Sequence, residues 1–284
     1  MIGASSDMLH YCASLATAAL IAIAPVAHAE QLRATDNLLD MLGLQETVAV
    51  MRREGMDYGN ELAEEMLPGG AGASWSRMVA QIYDTTRMED VVRDGFAAAW
   101  EQEGRELGEV TAFFASTAGA EIVRLEVSAR DAMTDPDVED AARAAYRDRS
   151  DQDDDPRLAM IDQFIDNNDL IDANVVGAMN SSYEFYAGLV DGGAFEMSEE
   201  EILGVVWESE AESRADTREW LFAYMMMAYQ PLDDAALGDY VAISASDAGK
   251  ALNRALFAGF DQMYTEISYA LGLALAHQMT AQEL

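Results

Sequence analysis

The side chains able to do chemistry in this chain are few, and their spacing narrows the choice. Glu208-Ser209 and Glu212-Ser213 stand one helical turn apart. A single glutamate sunk in an apolar pocket can have its pKa raised and act as general acid on a glycosidic bond, so these two carboxyls are the candidates for glycan cleavage. Asp151, Asp153 and Asp155 alternate as at the start of a calcium loop, but Pro156 occupies the position that needs glycine and Asp162 the one that needs glutamate. Met225-Met226-Met227 offers soft sulfur ligands. Consecutive helical side chains diverge, however, so these three predict core packing. Lys250 is the only lysine, and no Gly-x-x-x-x-Gly-Lys loop surrounds it, which excludes P-loop phosphate chemistry. No motif for a cofactor is present, and none is expected.

The elements that must position these groups are helices, and one corner between helices is written twice. Leu107, Gly108, Ala112, Ala115, Ser116, Ala118, Gly119 and Arg124 recur as Leu237, Gly238, Ala242, Ala245, Ser246, Ala248, Gly249 and Arg254, at a constant offset (237 − 107 = 130). In the first copy Leu107, Val110 and Phe113/Phe114 share a helical face. Ser116 and Ser246 then predict N-caps, because a serine hydroxyl accepts from an orphan N–H at the start of a helix. Asp247 suits the positive end of the second such helix. Gly119 and Gly249 fall in the first turn, where glycine costs about 1 kcal/mol against alanine. A neighbouring backbone too close for a Cβ would explain both. An anion at either helix start is the functional alternative, but no basic residue stands beside Ser116 and only Lys250 stands near Ser246.

The run Glu106-Leu107, Phe113-Phe114, Ser116, Gly119, preceded by Trp75 and Tyr83, resembles the bacterial secreted family catalogued as domain of unknown function 2059. The likeness covers Trp75 to Arg130. A weaker copy follows in the second half, where Ser244 replaces the second aromatic. The family usually has proline after the serine; Thr117 and Asp247 stand there instead. The resemblance implies an all-helical envelope protein and supplies no activity. Glu208-Ser209 and Glu212-Ser213 also look like the Glu-Ser pair of helical peptidoglycan transglycosylases, although the Gly-Leu-Met-Gln type segment that should follow is absent.

Composition sets the address. The net charge is −35 over 284 residues, which argues against nucleic acid and anionic membranes as partners, since both need clustered Lys and Arg. Leu15 to Val26 is apolar, and Ala27-His28-Ala29 before Glu30 reads as a signal cleavage site. The expected location is therefore the periplasm. Residues 1–29 include Cys12, the one cysteine, and His10 and His28. A chain cleaved after Ala29 would keep only His277, which leaves no histidine cluster for zinc, no thiolate chemistry and no disulfide. A Ser-His-Asp triad could use only His277. No later apolar segment is long enough to span a bilayer.

Along the chain, helical periodicity dominates and no segment alternates with period two, so the fold class is all-α. Thr35 or Asp36 is expected to cap a first helix and Ser74 to open another, which runs past Trp100. Asp135-Pro136 marks a kink or restart. Leu158 to Val190 is expected as one long helix. Ser198 to Glu201 has the capping-box pattern of a second, which runs to Pro231. The architecture predicted is two tandem helical units, 33–148 and 157–280, each containing a helix–Ser cap–helix corner and joined by an acidic linker, 149–156. The predicted function is non-enzymatic binding of an envelope protein or a small ligand, with glycan cleavage by Glu208 or Glu212 as the alternative.

Overall fold

The structure, a computed structural model, describes residues 29–67, 69–70, 72–150 and 155–282. The described residues are helices joined by short turns: α1 (29–41), α2 (Leu44–Met66), α3 (Ala73–Ile82), α4 (Thr85–Glu103), α5 (Gly108–Phe114), α6 (Thr117–Ala132), α7 (Pro136–Ser150), α8 (Pro156–Asn167), α9 (Leu170–Asp191), α10 (Glu199–Glu208), α11 (Glu210–Tyr229), α12 (Asp234–Ala245) and α13 (Asp247–Gln282). No strand occurs among them, and the fold is all-α. The cleavage-site reading and most of the leader fall on residues 1–28, outside the described residues.

Local chemistry accounts for most helix starts. Asp84 accepts from the Arg87 amide, and the Asp233 carboxylate accepts from that of Ala236 at 2.8 Å. Asp155 accepts from two amides at the start of α8, where Pro156 takes the first helical position. Ser198 and Glu201 form the full capping box. Asp135-Pro136 is a restart, with α7 beginning at the proline.

Several expected boundaries move. Thr35 is buried inside α1 rather than at its start, and its hydroxyl donates back to the Leu32 carbonyl at 2.8 Å. Ser74 makes no cap, since α3 begins at Ala73 after Gly72. The helix expected to run past Trp100 breaks at Tyr83-Asp84, because the Asp84 cap starts a new one. The long helix expected from Leu158 breaks at Asn168-Asp169, where Asp169 adopts φ 51°, a left-handed conformation that aspartate tolerates. The helix opened by Ser198 ends at Glu208, and Ser209 separates α10 from α11 with its hydroxyl bonded to the Val206 carbonyl. The linker is shorter than 149–156: α7 reaches Ser150 and α8 begins at Pro156. Asp151 and Asp153 lie outside the described residues, and Asp155 is spent on its cap.

The longest described helix, α13, has 36 residues, about 54 Å at 1.5 Å per residue. It packs most extensively on α9 and α4, and glycines let both approach closely. A Cβ on Gly272 would stand 2.1 Å from the Phe185 carbonyl oxygen, and one on Gly188 2.3 Å from that of Tyr269. On the other side, a Cβ on Gly259 would stand 2.6 Å from the Val92 carbonyl oxygen. No described helix is long and apolar enough to cross a membrane.

The two sequence copies do not keep to separate cores. α13 of the second half lies against α4 of the first, and α6 and α7 of the first lie against α11 of the second. One hydrophobic cluster runs from Leu38 to Ala276 through both.

Candidate functional site

Both corners have the same geometry. Ser116 (φ −74°, ψ 161°) accepts from the Gly119 amide at 3.1 Å. Ser246 (φ −65°, ψ 159°) accepts from the Gly249 amide at 3.0 Å. A Cβ on Gly119 would stand 2.2 Å from the Phe113 carbonyl oxygen, and one on Gly249 2.1 Å from that of Ile243. The crowding backbone therefore belongs to the helix just left, α5 or α12. A Cβ on either of the other repeated glycines, Gly108 and Gly238, would meet nothing within 4 Å among the described residues. Each serine hydroxyl is engaged by its own helix, and Asp247, just after the second cap, pairs with Arg105 at 3.3 Å.

The corners face one another. Phe113 stacks on Tyr240 with ring centroids 5.9 Å apart, and Phe114 meets the same ring edge-on at 6.4 Å. Tyr240 occupies the place in the second copy that Val110 holds in the first. Ser244 occupies that of Phe114.

Beneath this contact lies a cavity of about 370 Å³. Val110 and Phe114 reach it from the first corner, and Tyr240, Ile243, Ser244 and Gly249 from the second. Leu252, Leu256, Phe257 and Phe260 of α13 and Leu221 and Met225 of α11 complete much of the wall. Ser244 is buried, and its hydroxyl is turned back to the Val241 carbonyl at 2.9 Å. A serine where the other copy carries a phenylalanine frees the volume of a ring at this wall.

The polar groups of the cavity gather on α6 and its neighbours. Glu126 lies one turn before Arg130, and both line the cavity. The Tyr229 and Tyr240 hydroxyls donate to Glu126 Oε1 at 2.6 and 2.9 Å, and the Tyr224 hydroxyl donates to the Glu126 carbonyl at 3.0 Å. Among the described residues no donor reaches Oε2, and this oxygen is not sealed from the cavity. Burial pushes the Glu126 carboxyl above its ordinary pKa, while the hydrogen bonds from Tyr229 and Tyr240 pull it part of the way back. Burial, with the Glu126 carboxyl next in effect, raises both phenols well above theirs.

Arg130 pairs with Glu54 at 2.6 Å and lies over the Trp220 ring, 5.2 Å from its centroid. Its Nε is buried without a partner among the described residues. Glu54 faces a second, outer cleft of about 520 Å³, and Met51 and Tyr264 line both spaces. These two side chains and the Arg130–Glu54 pair form the partition between cleft and cavity.

Of the residues singled out by the sequence, Gly249 lines the cavity, while Gly119, Ser116 and Ser246 shape the corners around it. Glu208 and Glu212 are exposed, on either side of the break at Ser209 and away from the cavity. Neither stands in an apolar pocket. His277 is exposed on α13. Met225 is buried at the cavity and Met226 faces a different depression beside Arg157, so the sulfurs diverge. Among the described residues no group of three His, Cys, Asp or Glu is placed to hold a metal ion. Large apolar side chains at the surface include Leu203, Val205 and Trp207 on α10.

Sequence reasoning missed Glu126. A signal for it existed, because Ile122, Glu126, Ala129 and Met133 recur at helical spacing and put a carboxyl on the apolar stripe of α6. No family model matches the chain, and no curated protein or solved structure matches it.

Proposed function

We propose that this chain is a non-enzymatic binding protein that takes a small, mainly apolar molecule into the cavity between its two corners. The observation that carries this reading is the cavity itself. Its volume of about 370 Å³ falls within the roughly 300–1,000 Å³ of small-molecule sites, which pair apolar walls with a few convergent polar groups. The outer cleft lies on the far side of Met51 and Tyr264. We further propose that the protein works in the periplasm; the leader-like stretch Leu15 to Ala29 and the resemblance to domain of unknown function 2059 support this. The surroundings of Glu208 and Glu212 do not favour the glycan-cleaving alternative.

A neutral naphthyl fluorophore tests the reading. The full chain is expected to bind it with a saturable rise in emission. Ser244→Phe, which restores the residue of the first copy, is expected to lose about tenfold or more in affinity by filling the cavity. Leu256→Trp fills it from the opposite wall and guards against a folding defect in the first variant, with the unfolding midpoint of each checked by circular dichroism. Equal affinity in the full chain and both folded variants would place the probe elsewhere and overturn the proposal.

A further inference from the structure

We propose that the cavity selects a hydrophobic organic cation, an alkylammonium or quaternary ammonium, whose charge sits against Glu126 Oε2. The inference rests on the binding reading above and adds the chemical class of the ligand. Glu126 is a half-buried carboxyl on the cavity wall with one oxygen left for a ligand, since Tyr229 and Tyr240 both donate to the other. Burial favours the neutral carboxyl, the two phenol donors offset part of that preference, and an arriving cation shifts the group further toward the carboxylate. No arginine or lysine of the chain pairs with Glu126 among the described residues, and Arg130, one turn away, is committed to Glu54. A half-buried carboxylate without a counter-charge bears part of the cost of burying a charge, and a bound cation reduces it.

The walls fit the same ligand. Phe164 and Tyr229 stand with Tyr240 as an aromatic cluster beside the carboxyl, with ring centroids of 5.0 Å for Phe164–Tyr240 and 5.8 Å for Tyr229–Tyr240. Aromatic faces attract alkylammonium groups, and more strongly when water is excluded. The rest of the wall is aliphatic and phenyl surface suited to an alkyl chain. The competing anchor is Arg130, which would suit a carboxylate ligand. Its Nε, however, is sealed from the cavity, and its guanidinium is held between Glu54 and Trp220.

Isothermal titration of the full chain with four probes of one chain length decides the matter: octylammonium, octyltrimethylammonium, octanol and octanoate. Both cations are expected to bind about tenfold or more tighter than octanol, and octanoate weakest. In Glu126→Gln the ratio between cation and alcohol is expected to fall close to one, while Ser244→Phe loses all four. Because the chain carries a net charge of −35, cations adsorbed on the surface would keep their advantage in both variants, and that result overturns the proposal. Octanol or octanoate binding as tightly as the cations in the unsubstituted chain overturns it without recourse to any variant. If octanol binds and the cations gain nothing, the charge preference alone fails. If no probe binds, the cavity fails as a site and the preference with it.

Discussion

Replacing Gly119 or Gly249 by alanine is expected to cost about 2–4 kcal/mol of stability each. The added Cβ would stand 2.2 or 2.1 Å from a carbonyl oxygen of the preceding helix. Ordinary contact needs more than 3 Å, so the corner would have to open by about 1 Å. The obstacle is backbone, which cannot swing aside as a side chain can. Opening the second corner would also disturb the cavity wall, because Gly249 lines it. Gly204→Ala and Gly238→Ala are the controls. Both positions are helical and a Cβ there would meet nothing within 4 Å among the described residues, so alanine is expected to add about 0.5–1 kcal/mol there by restricting the unfolded chain. Urea unfolding of the four variants checks the contrast. A loss at Gly238 as large as that at Gly249 would mean that propensity, not crowding, governs these positions.

The second large effect concerns Glu126 and depends on pH. Burial raises the folded carboxyl's pKa above its unfolded value. The folded state therefore holds this proton more tightly than the unfolded chain does. The stability this contributes is fully present below the unfolded pKa and is lost as pH rises through the folded one. Glu126→Gln keeps an oxygen to accept from Tyr229 and Tyr240 but has no proton to lose. Its melting temperature relative to the unsubstituted chain is thus expected to climb as pH is raised from 4 to 8, by about 2–4 °C for each kcal/mol of buried-charge cost removed in a chain of this size. Melting curves of both proteins at matched ionic strength test this. Because they share every other titrating group, the difference isolates position 126. A difference that stays flat, or falls with pH, would show that the phenol hydrogen bonds outweigh burial.

What the sequence conveys best here is local chemistry. Ser116, Ser198 and Ser246 announce their helices because a cap needs only its own first turn. The repeat at an offset of 130 exposes both corners, and the glycine three residues after each serine follows from crowding within the corner itself. Breaks that depend on a single backbone angle are harder to read. The Asn167-Asn168-Asp169 run tolerates a left-handed residue, yet nothing in the hydrophobic period marks Asp169 as the one at φ 51°.

Tertiary features leave still less trace in the sequence. The close approach of α13 to α4 and α9 rests on Gly259, Gly188 and Gly272, whose meaning depends on which helix lies opposite. Ser244 was visible as a departure from the first copy. That it widens a cavity follows only once Phe114 and Tyr240 are seen to meet across the halves. Glu126 was hidden for a related reason. A lone glutamate in an acidic chain looks like one more solvated charge until Tyr229 and Tyr240, more than 100 residues later, close over it.

Diffraction from crystals pressurised with xenon tests most directly whether the paired corners form a ligand cavity widened by Ser244. Xenon enters apolar cavities of modest size. Density for xenon, or for a co-purified apolar molecule, is expected between Val110, Phe114, Leu252 and Leu256, and is expected to be lost in Ser244→Phe. Collapsed side chains filling that space in the unsubstituted protein, with xenon bound only elsewhere, would contradict it.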